Sequence, residues 1–360
     1  MKIKASNISS WLLTVSPLFI TFLATKWGAR NPMSVEKLYA QGIYPVLAKY
    51  ISTISNIFSF SISDVFYLSA ILGFLLLICL LLFRKIKLLK AIKILFLVIS
   101  IAYTTFYFFW GFNYFRADLY QRLQLKKSEA NTEDFISICT KLINTTNTQN
   151  TSFKEFDKTT IDHEIETSYQ QLSEILRLNF PAGKRTDKSI TFSTFFAQSG
   201  ISGYFGPFFN EVHVNKQILP IEYPFVLAHE KAHQLGVTSE SEANFYAWLI
   251  CSSSKNKQLR YSANLTILRH FLYQAYELPN YKELLTQLDE DVINDLREIQ
   301  KHWQEMRNEK LNKAASRVND AYLKTNNVKE GIKDYRGVVK HVMNFSLDSA
   351  FQEKHALANR

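Results

Sequence analysis

His229-Glu230-Lys231-Ala232-His233 is the stretch of this chain best suited to chemistry. Residues four apart share a helix face, so the two imidazoles can grip one metal ion while Glu230 sits beside them. A zinc hydrolase holds its metal and its general base in this way. The five-residue pattern arises by chance on the order of once in a hundred chains of this composition, so the flanks must decide. Pro224 suits a first helical position, where its missing N–H would be unpaired anyway. Phe225, Ala228, Ala232 and Leu235 recur at helical spacing, and Gly236 is placed for a left-handed cap. These flanks predict a buried, apolar helix of roughly twelve residues. Two neutral histidines in such a helix are costly unless partnered. A metal satisfies both; a pair of hydrogen-bonded core histidines is the plainer alternative.

A catalytic zinc takes three protein ligands and keeps one position open for water. Glu240-Ser241-Glu242-Ala243-Asn244 follows soon after His233 and opens a second predicted helix through Phe245, Ala247, Trp248 and Leu249. Two glutamates compete for the third ligand position. Ser239 and Glu242 have capping-box spacing, which gives Glu242 a structural task. Glu240 is therefore favoured as the ligand. Asn244, on the same face as Glu240, is placed to steady a ligand from outside the metal's own shell.

The pentad followed by Glu-x-x-x-Asn resembles the gluzincin metallopeptidases, whose pattern is His-Glu-x-x-His and then Glu-x-x-x-Asp. The resemblance implies zinc ligation by Glu240 and maps the family's aspartate onto Asn244. That is a departure, since an amide can orient a histidine but adds no negative charge. The gap between the motifs is also short beside thermolysin-type enzymes. A wider resemblance covers nearly the whole chain. Three hydrophobic segments, Gly200-Ile201-Ser202-Gly203-Tyr204-Phe205, Glu211-Val212-His213-Val214-Asn215, the metal motifs and Asp334-Tyr335-Arg336-Gly337 are similar to a bacterial membrane-protein family. That family is catalogued as a domain of unknown function and regarded as peptidase-like. The resemblance implies a zincin-like fold and a metal, and names no substrate. Gluzincins also recruit a tyrosine, histidine or arginine from a later segment to stabilise the oxyanion, which makes Tyr335, Arg336 and His341 candidates. His213 is a further candidate ligand or transition-state donor, although a lone strand histidine is more often structural.

The elements that must position these residues divide unevenly. Residues 1–112 are largely apolar and residues 113–360 mixed, within a chain of 360 residues. The net charge of +10 is spread along the sequence and clusters beside the hydrophobic segments, which argues against a nucleic-acid partner. Spans are expected at about 11–25, 65–83 and 91–110, so that the lipid bilayer is one partner. The short loop Arg84-Lys85-Ile86-Lys87-Leu88-Leu89-Lys90 should stay in the cytoplasm. The metal-bearing domain then faces outward, which in a double-membraned bacterium places it in the periplasm on a multi-pass inner-membrane anchor. A cleaved signal in place of the first span would leave it facing the same way. Val35 to Phe60 reads either as an amphipathic helix on the membrane or over the cleft, or as a packing element between spans. The three cysteines have no paired spacing.

Asp134 to Asn144 and Asp162 to Leu178 read as amphipathic helices around a polar loop at 144–152, and Leu288 to Met306 as a long one. Lys188 to Phe196 and Glu211 to Asn215 read as strands. The fold class expected is α+β and mostly helical, three transmembrane helices followed by a zincin-like metallopeptidase domain with a small antiparallel sheet. An edge strand from 200–204 or 211–214 would accept an extended substrate by backbone pairing. The expected activity is hydrolysis of a peptide or protein substrate outside the cytoplasm. Zn2+ lowers the pKa of a water toward about 7, and Glu230 takes its proton and later delivers it to the leaving amine. The alternative is a metal-dependent sensory or interaction module with little or no hydrolysis.

Overall fold

A long apolar helix is the simplest answer to a run of leucine, isoleucine and phenylalanine, because it satisfies every backbone group internally. In the computed structural model, which describes residues 5–180 and 185–355, two helices among those residues are long and apolar enough to cross a membrane, Ile62–Leu82 and Leu88–Phe109. No part of the apolar stretch of the first is buried within the protein. A third helix, Ala5–Arg30, contains the earliest predicted span but is less apolar and carries Pro17. Thr14, Thr21 and Thr25 on it are buried. Thr21 Oγ1 donates to Thr104 Oγ1 at 3.1 Å, tying this helix to Leu88–Phe109.

Val35 to Ser55 is helical throughout, as a short π-helical stretch Glu36–Ile43 followed by the helix Tyr44–Ser55. Its inner face packs on the rest of the protein. Tyr44 is 2% exposed, and its hydroxyl donates to the Gln234 carbonyl at 2.6 Å. Val35, Tyr44, Tyr107, Trp110, Tyr114 and Phe115 share a small core, so the predicted boundary at residue 112 runs through a packed junction.

The larger core surrounds the helix Tyr223–Gln234. Around it stand the helices Thr132–Gln149, Lys158–Leu172, Glu240–Ser252, Lys257–Ala275 and Val338–Leu347. Glu290–Met306 and Glu309–Thr325 are amphipathic, each with a largely exposed face. The predicted loop at 144–152 is helical as far as Gln149. Thr146 there is fully buried and donates to the Leu142 carbonyl, so a polar run serves as a helical inner face.

The sheet has three strands in the order β1-β3-β2, with β1 at Lys188–Ser189, β2 at Gly203–Gly206 and β3 at Glu211–Val214. β2 and β3 pair antiparallel, Tyr204 opposite His213, whereas β1 pairs parallel to β3. The sheet is therefore mixed, not antiparallel as expected. The predicted strand Lys188 to Phe196 also stops early, giving way to the short helix Ser193–Gln198. Alternation of apolar residues over so short a stretch does not separate the two periods.

Candidate metal centre

The motif helix spans twelve residues, Tyr223–Gln234, with Pro224 in its first turn. It ends as Gly236 adopts φ +87, with Gly236 N–H on the His233 carbonyl and Val237 N–H on the Ala232 carbonyl, both at 3.0 Å. This pair of bonds is the Schellman closure that a left-handed glycine permits. It also turns the Val237 carbonyl back onto His233 Nδ1 at 2.8 Å. A carbonyl only accepts, so Nδ1 carries a proton and Nε2 is the nitrogen turned toward Glu240, the one that could bind a metal. His229 Nδ1 is buried and finds no such partner among the described residues.

His229, His233 and Glu240 converge and are all buried, forming a group that could hold a metal ion. His229 Nε2 lies 3.1 Å from His233 Nε2, and Glu240 Oε2 lies 3.2 Å and 3.3 Å from the two nitrogens. Ligands about 2.0–2.1 Å from a tetrahedral ion stand about 3.3 Å apart, so these separations match three corners of such a site. Burial alone would depress the His233 imidazole, yet the Glu240 carboxylate raises it to about 9. Burial likewise disfavours the Glu240 charge, but the two imidazoles hold that carboxyl well below the usual range.

Glu230 lies on the same helix and is 5% exposed. Burial raises its pKa, against the pull of the neighbouring imidazoles. Strand β2 passes directly over it. A Cβ at Gly203 would lie 2.8 Å from Glu230 Oε1 and 2.9 Å from the His213 carbonyl, so this crossing requires glycine. The pentad's Lys231 points the other way. It is 1% exposed and pairs with Asp162 at 2.7 Å and with Glu166, anchoring the back of the helix in the core.

Glu242 is not part of the cluster. Ser239 caps the second helix by accepting the Glu242 N–H at 3.3 Å, but the Glu242 carboxylate pairs with buried Arg122 and does not complete the capping box. Asp334 caps the helix end in a different way. Its Oδ2 accepts from the Glu240 N–H and Ser239 Oγ, both at 2.8 Å, and from the Ser241 N–H at 3.2 Å, while Oδ1 accepts from Ser241 Oγ at 2.9 Å. Asn244 does not steady a histidine. Its amide donates to the Tyr335 carbonyl at 3.4 Å and so fastens the segment Gly331–Gly337.

That segment sends its side chains to different sides. Tyr335 enters the site, its ring parallel to His229 with centroids 6.4 Å apart. Burial and the Glu240 charge raise its pKa well above the ordinary phenol value, so it is a neutral donor. Arg336 is exposed and lies over the Tyr273 ring, outside the site. Gly337 permits close approach, since a Cβ there would meet the Ser241 Cβ at 3.0 Å. His341 bonds to Tyr120 Oη and Ser241 Oγ, and His213 to Ser61 Oγ at 2.7 Å while stacking on Tyr204. Of the four later candidates, only Tyr335 reaches the His229/His233/Glu240 group.

Two further residues hold the motif helix from the apolar side. Trp110, at the end of Leu88–Phe109, donates to the His233 carbonyl at 2.9 Å and sets its ring edge-on to the imidazole. Arg116 donates to the Gly236 carbonyl at 3.0 Å and pairs with buried Glu36 at 2.7 Å. The sequence reading missed Asp334 as a cap and Trp110 as an anchor. The serines at 239 and 241 hinted at the first, and nothing local hinted at the second.

Apolar helices long enough to cross a membrane, joined to a helical body with a buried His/His/Glu group, define the class of this protein. The family model described as "Protein of unknown function (DUF3810)" matches residues 39–343, and the chain belongs to that family, the one its motifs resemble. No curated protein and no solved structure matches the chain.

Proposed function

We propose that the protein is a membrane-anchored zinc metallopeptidase. The observation that carries this reading is the near-tetrahedral spacing of His229, His233 and Glu240 with the Glu230 carboxyl one residue from a ligand. Two imidazoles and one carboxylate, all buried, are a donor set that suits zinc. Bound zinc would supply Lewis acidity, polarising a substrate carbonyl and acidifying water. Glu230 takes the proton of the attacking water and returns it to the leaving amine, its raised pKa matching both tasks. Tyr335, neutral and beside Glu240, donates a hydrogen bond to the developing oxyanion. The outer edge of β2 is unpaired within the sheet, so an extended peptide laid along it runs past Glu230 at Gly203. The bilayer holds the body through Ile62–Leu82 and Leu88–Phe109, with a third span at Ala5–Arg30 and the metal group facing the periplasm of a bacterial inner membrane.

Glu230→Gln decides the catalytic assignment. Purified wild type should carry about one zinc per chain and cleave an unstructured protein substrate, as the three-ligand site requires. The variant should keep the metal and lose cleavage. Equal cleavage by a zinc-loaded variant removes Glu230 from the reaction.

A sensory module is favoured by a different observation. The Glu211 carboxylate of β3 accepts the Ser63 N–H at 2.8 Å and the Ile62 N–H at 3.2 Å, capping the helix Ile62–Leu82 from the strand next to β2. A change at the metal would then have a short route to that helix. Retained phenotype in Glu230→Gln with loss in His233→Ala selects this reading.

A further inference from the structure

We propose that the outer face of the helix Tyr44–Ser55 and the segment carrying Phe192 and Phe195 form one lipid-binding surface that seats the metal-bearing body on the headgroup layer. The inference rests on Ile62–Leu82 being a span, and not on any hydrolytic activity.

The helix is two-faced. Tyr44, Ala48, Ser52 and Ser55 are at most 3% exposed against the body, whereas Val46, Tyr50 and Ile54 are 54–61% exposed and Ile57 just beyond is 75% exposed. Its buried face therefore contains serines and its open face branched and aromatic side chains. A helix bordering water would have the reverse.

Phe192 and Phe195 come from a distant stretch, and each is 53% exposed. The fold brings the residues just before them to the C-terminal end of the helix and the start of the span. Lys188 Nζ donates to the carbonyls of Ser55 and Phe60, each at 2.8 Å. Thr191 N–H donates to Asp64 Oδ2 at 2.9 Å, in the first turn of Ile62–Leu82. Phe192 thus follows directly on a residue bonded to the start of the span. Exposed aromatics gathered at one place on a water-compatible body mark an interaction surface.

A bilayer surface is the occupant that fits. The patch is continuous with Ile62–Leu82, whose apolar stretch has no cover within the protein. At its border the exposed Lys49 ammonium stands 5.7 Å from the Tyr50 ring centre. Aromatic rings with flanking cations are the side chains that settle at the level of phosphate headgroups.

The test uses the full chain in vesicles of phosphatidylethanolamine and phosphatidylglycerol. Nitroxides are attached through Ile54→Cys, Phe192→Cys or Phe195→Cys, and through Asn144→Cys on the exposed polar side of Thr132–Gln149 as reference. The background carries Cys79→Ser, since Cys139 and Cys251 are fully buried. Collision with oxygen relative to a water-soluble nickel chelate should be several-fold higher at 54, 192 and 195 than at 144. Ratios at 192 and 195 equal to that at 144 overturn the proposal, and so does shielding from both probes, which would indicate a protein partner. If a cysteine variant does not fold, wild type in vesicles with a photoreactive lipid replaces it. Adducts are then expected within 44–60 and 189–198, and their absence from the second segment overturns the proposal.

Discussion

Asp334 accepts the N–H of Glu240 at 2.8 Å across 94 residues of chain, so the third member of the candidate metal group is held at a helix end that a later segment caps. The same carboxylate takes Ser239 and Ser241 as well. Helix N-termini favour an anion, and a lost cap costs about 0.5–2 kcal/mol. Asp334→Ala should lower stability by about 1–2 kcal/mol and weaken metal affinity about tenfold or more, as removal of groups that orient ligands does elsewhere. Thermal unfolding and competition with a chelating dye measure the two effects. Unchanged metal affinity would show that Glu240 holds its place without the cap.

The two glutamates of the second motif should separate in metal content. Glu240→Gln and His233→Ala should purify with little metal, because each removes one of three converging donors. Glu242→Gln should retain about one ion per chain, as expected of an intact three-ligand site. It should instead lose stability, since buried Arg122 is left without its carboxylate partner. Breaking a buried pair on one side costs about 3–5 kcal/mol. Metal analysis with thermal unfolding on the same three preparations settles the assignment.

The legibility of the sequence followed the range of the interactions involved. The motif helix and its cap were readable because Pro224, the apolar spacing and Gly236 act within one turn of where they stand. Glu240 could be preferred to Glu242 for a similar reason, since Ser239 does bond to the Glu242 N–H. The partner of Glu242 was not readable, because Arg122 lies 120 residues away. Arg336 and His341 looked like donors in the sequence, yet one lies on Tyr273 and the other between Tyr120 and Ser241. Which side of a short 3-10 segment faces inward depends on docking, here through Asp334 and Asn244. The sheet failed at β1, where two residues pair parallel to β3 and Lys188 meets the distant Glu211, a contact no local pattern announces.

Glu211 makes a specific acid sensitivity. Burial opposes its charge, but bonds from His213, Lys188 and Ser63 N–H bring its pKa from 4.5 down to about 2. A carboxyl depressed on folding contributes stability that is complete above the unfolded value and is lost as pH falls toward the folded one. The window is therefore from pH 4.5 down to about 2. A shift of this size corresponds to at most about 3 kcal/mol at neutral pH. Glu211→Gln should be less stable than wild type at pH 7, and the gap should narrow as pH falls below 4.5. Unfolding midpoints in detergent across that range test it, and parallel curves would exclude Glu211 as the source.

Gly203 offers a way to disturb the proposed catalysis while leaving the candidate metal donors alone. Its Cα packs against the Glu230 side chain, and an added methyl would fall 2.8 Å from Oε1 and 2.9 Å from Cγ of that residue. The His213 carbonyl, also 2.9 Å away, belongs to the backbone of the paired strand, so β2 must shift as well as the carboxylate. Gly203→Ala should therefore lose some stability at the β2–β3 pair while it keeps its metal, and hydrolysis should fall about a hundredfold, the scale of a misplaced catalytic group. The contrast with Glu230→Gln is informative. That variant removes the base, whereas Gly203→Ala displaces it, so some activity should survive in the second and none in the first. Single-turnover cleavage with metal content measured in parallel distinguishes them. Full activity in Gly203→Ala would mean that Glu230 works from a position that β2 does not set.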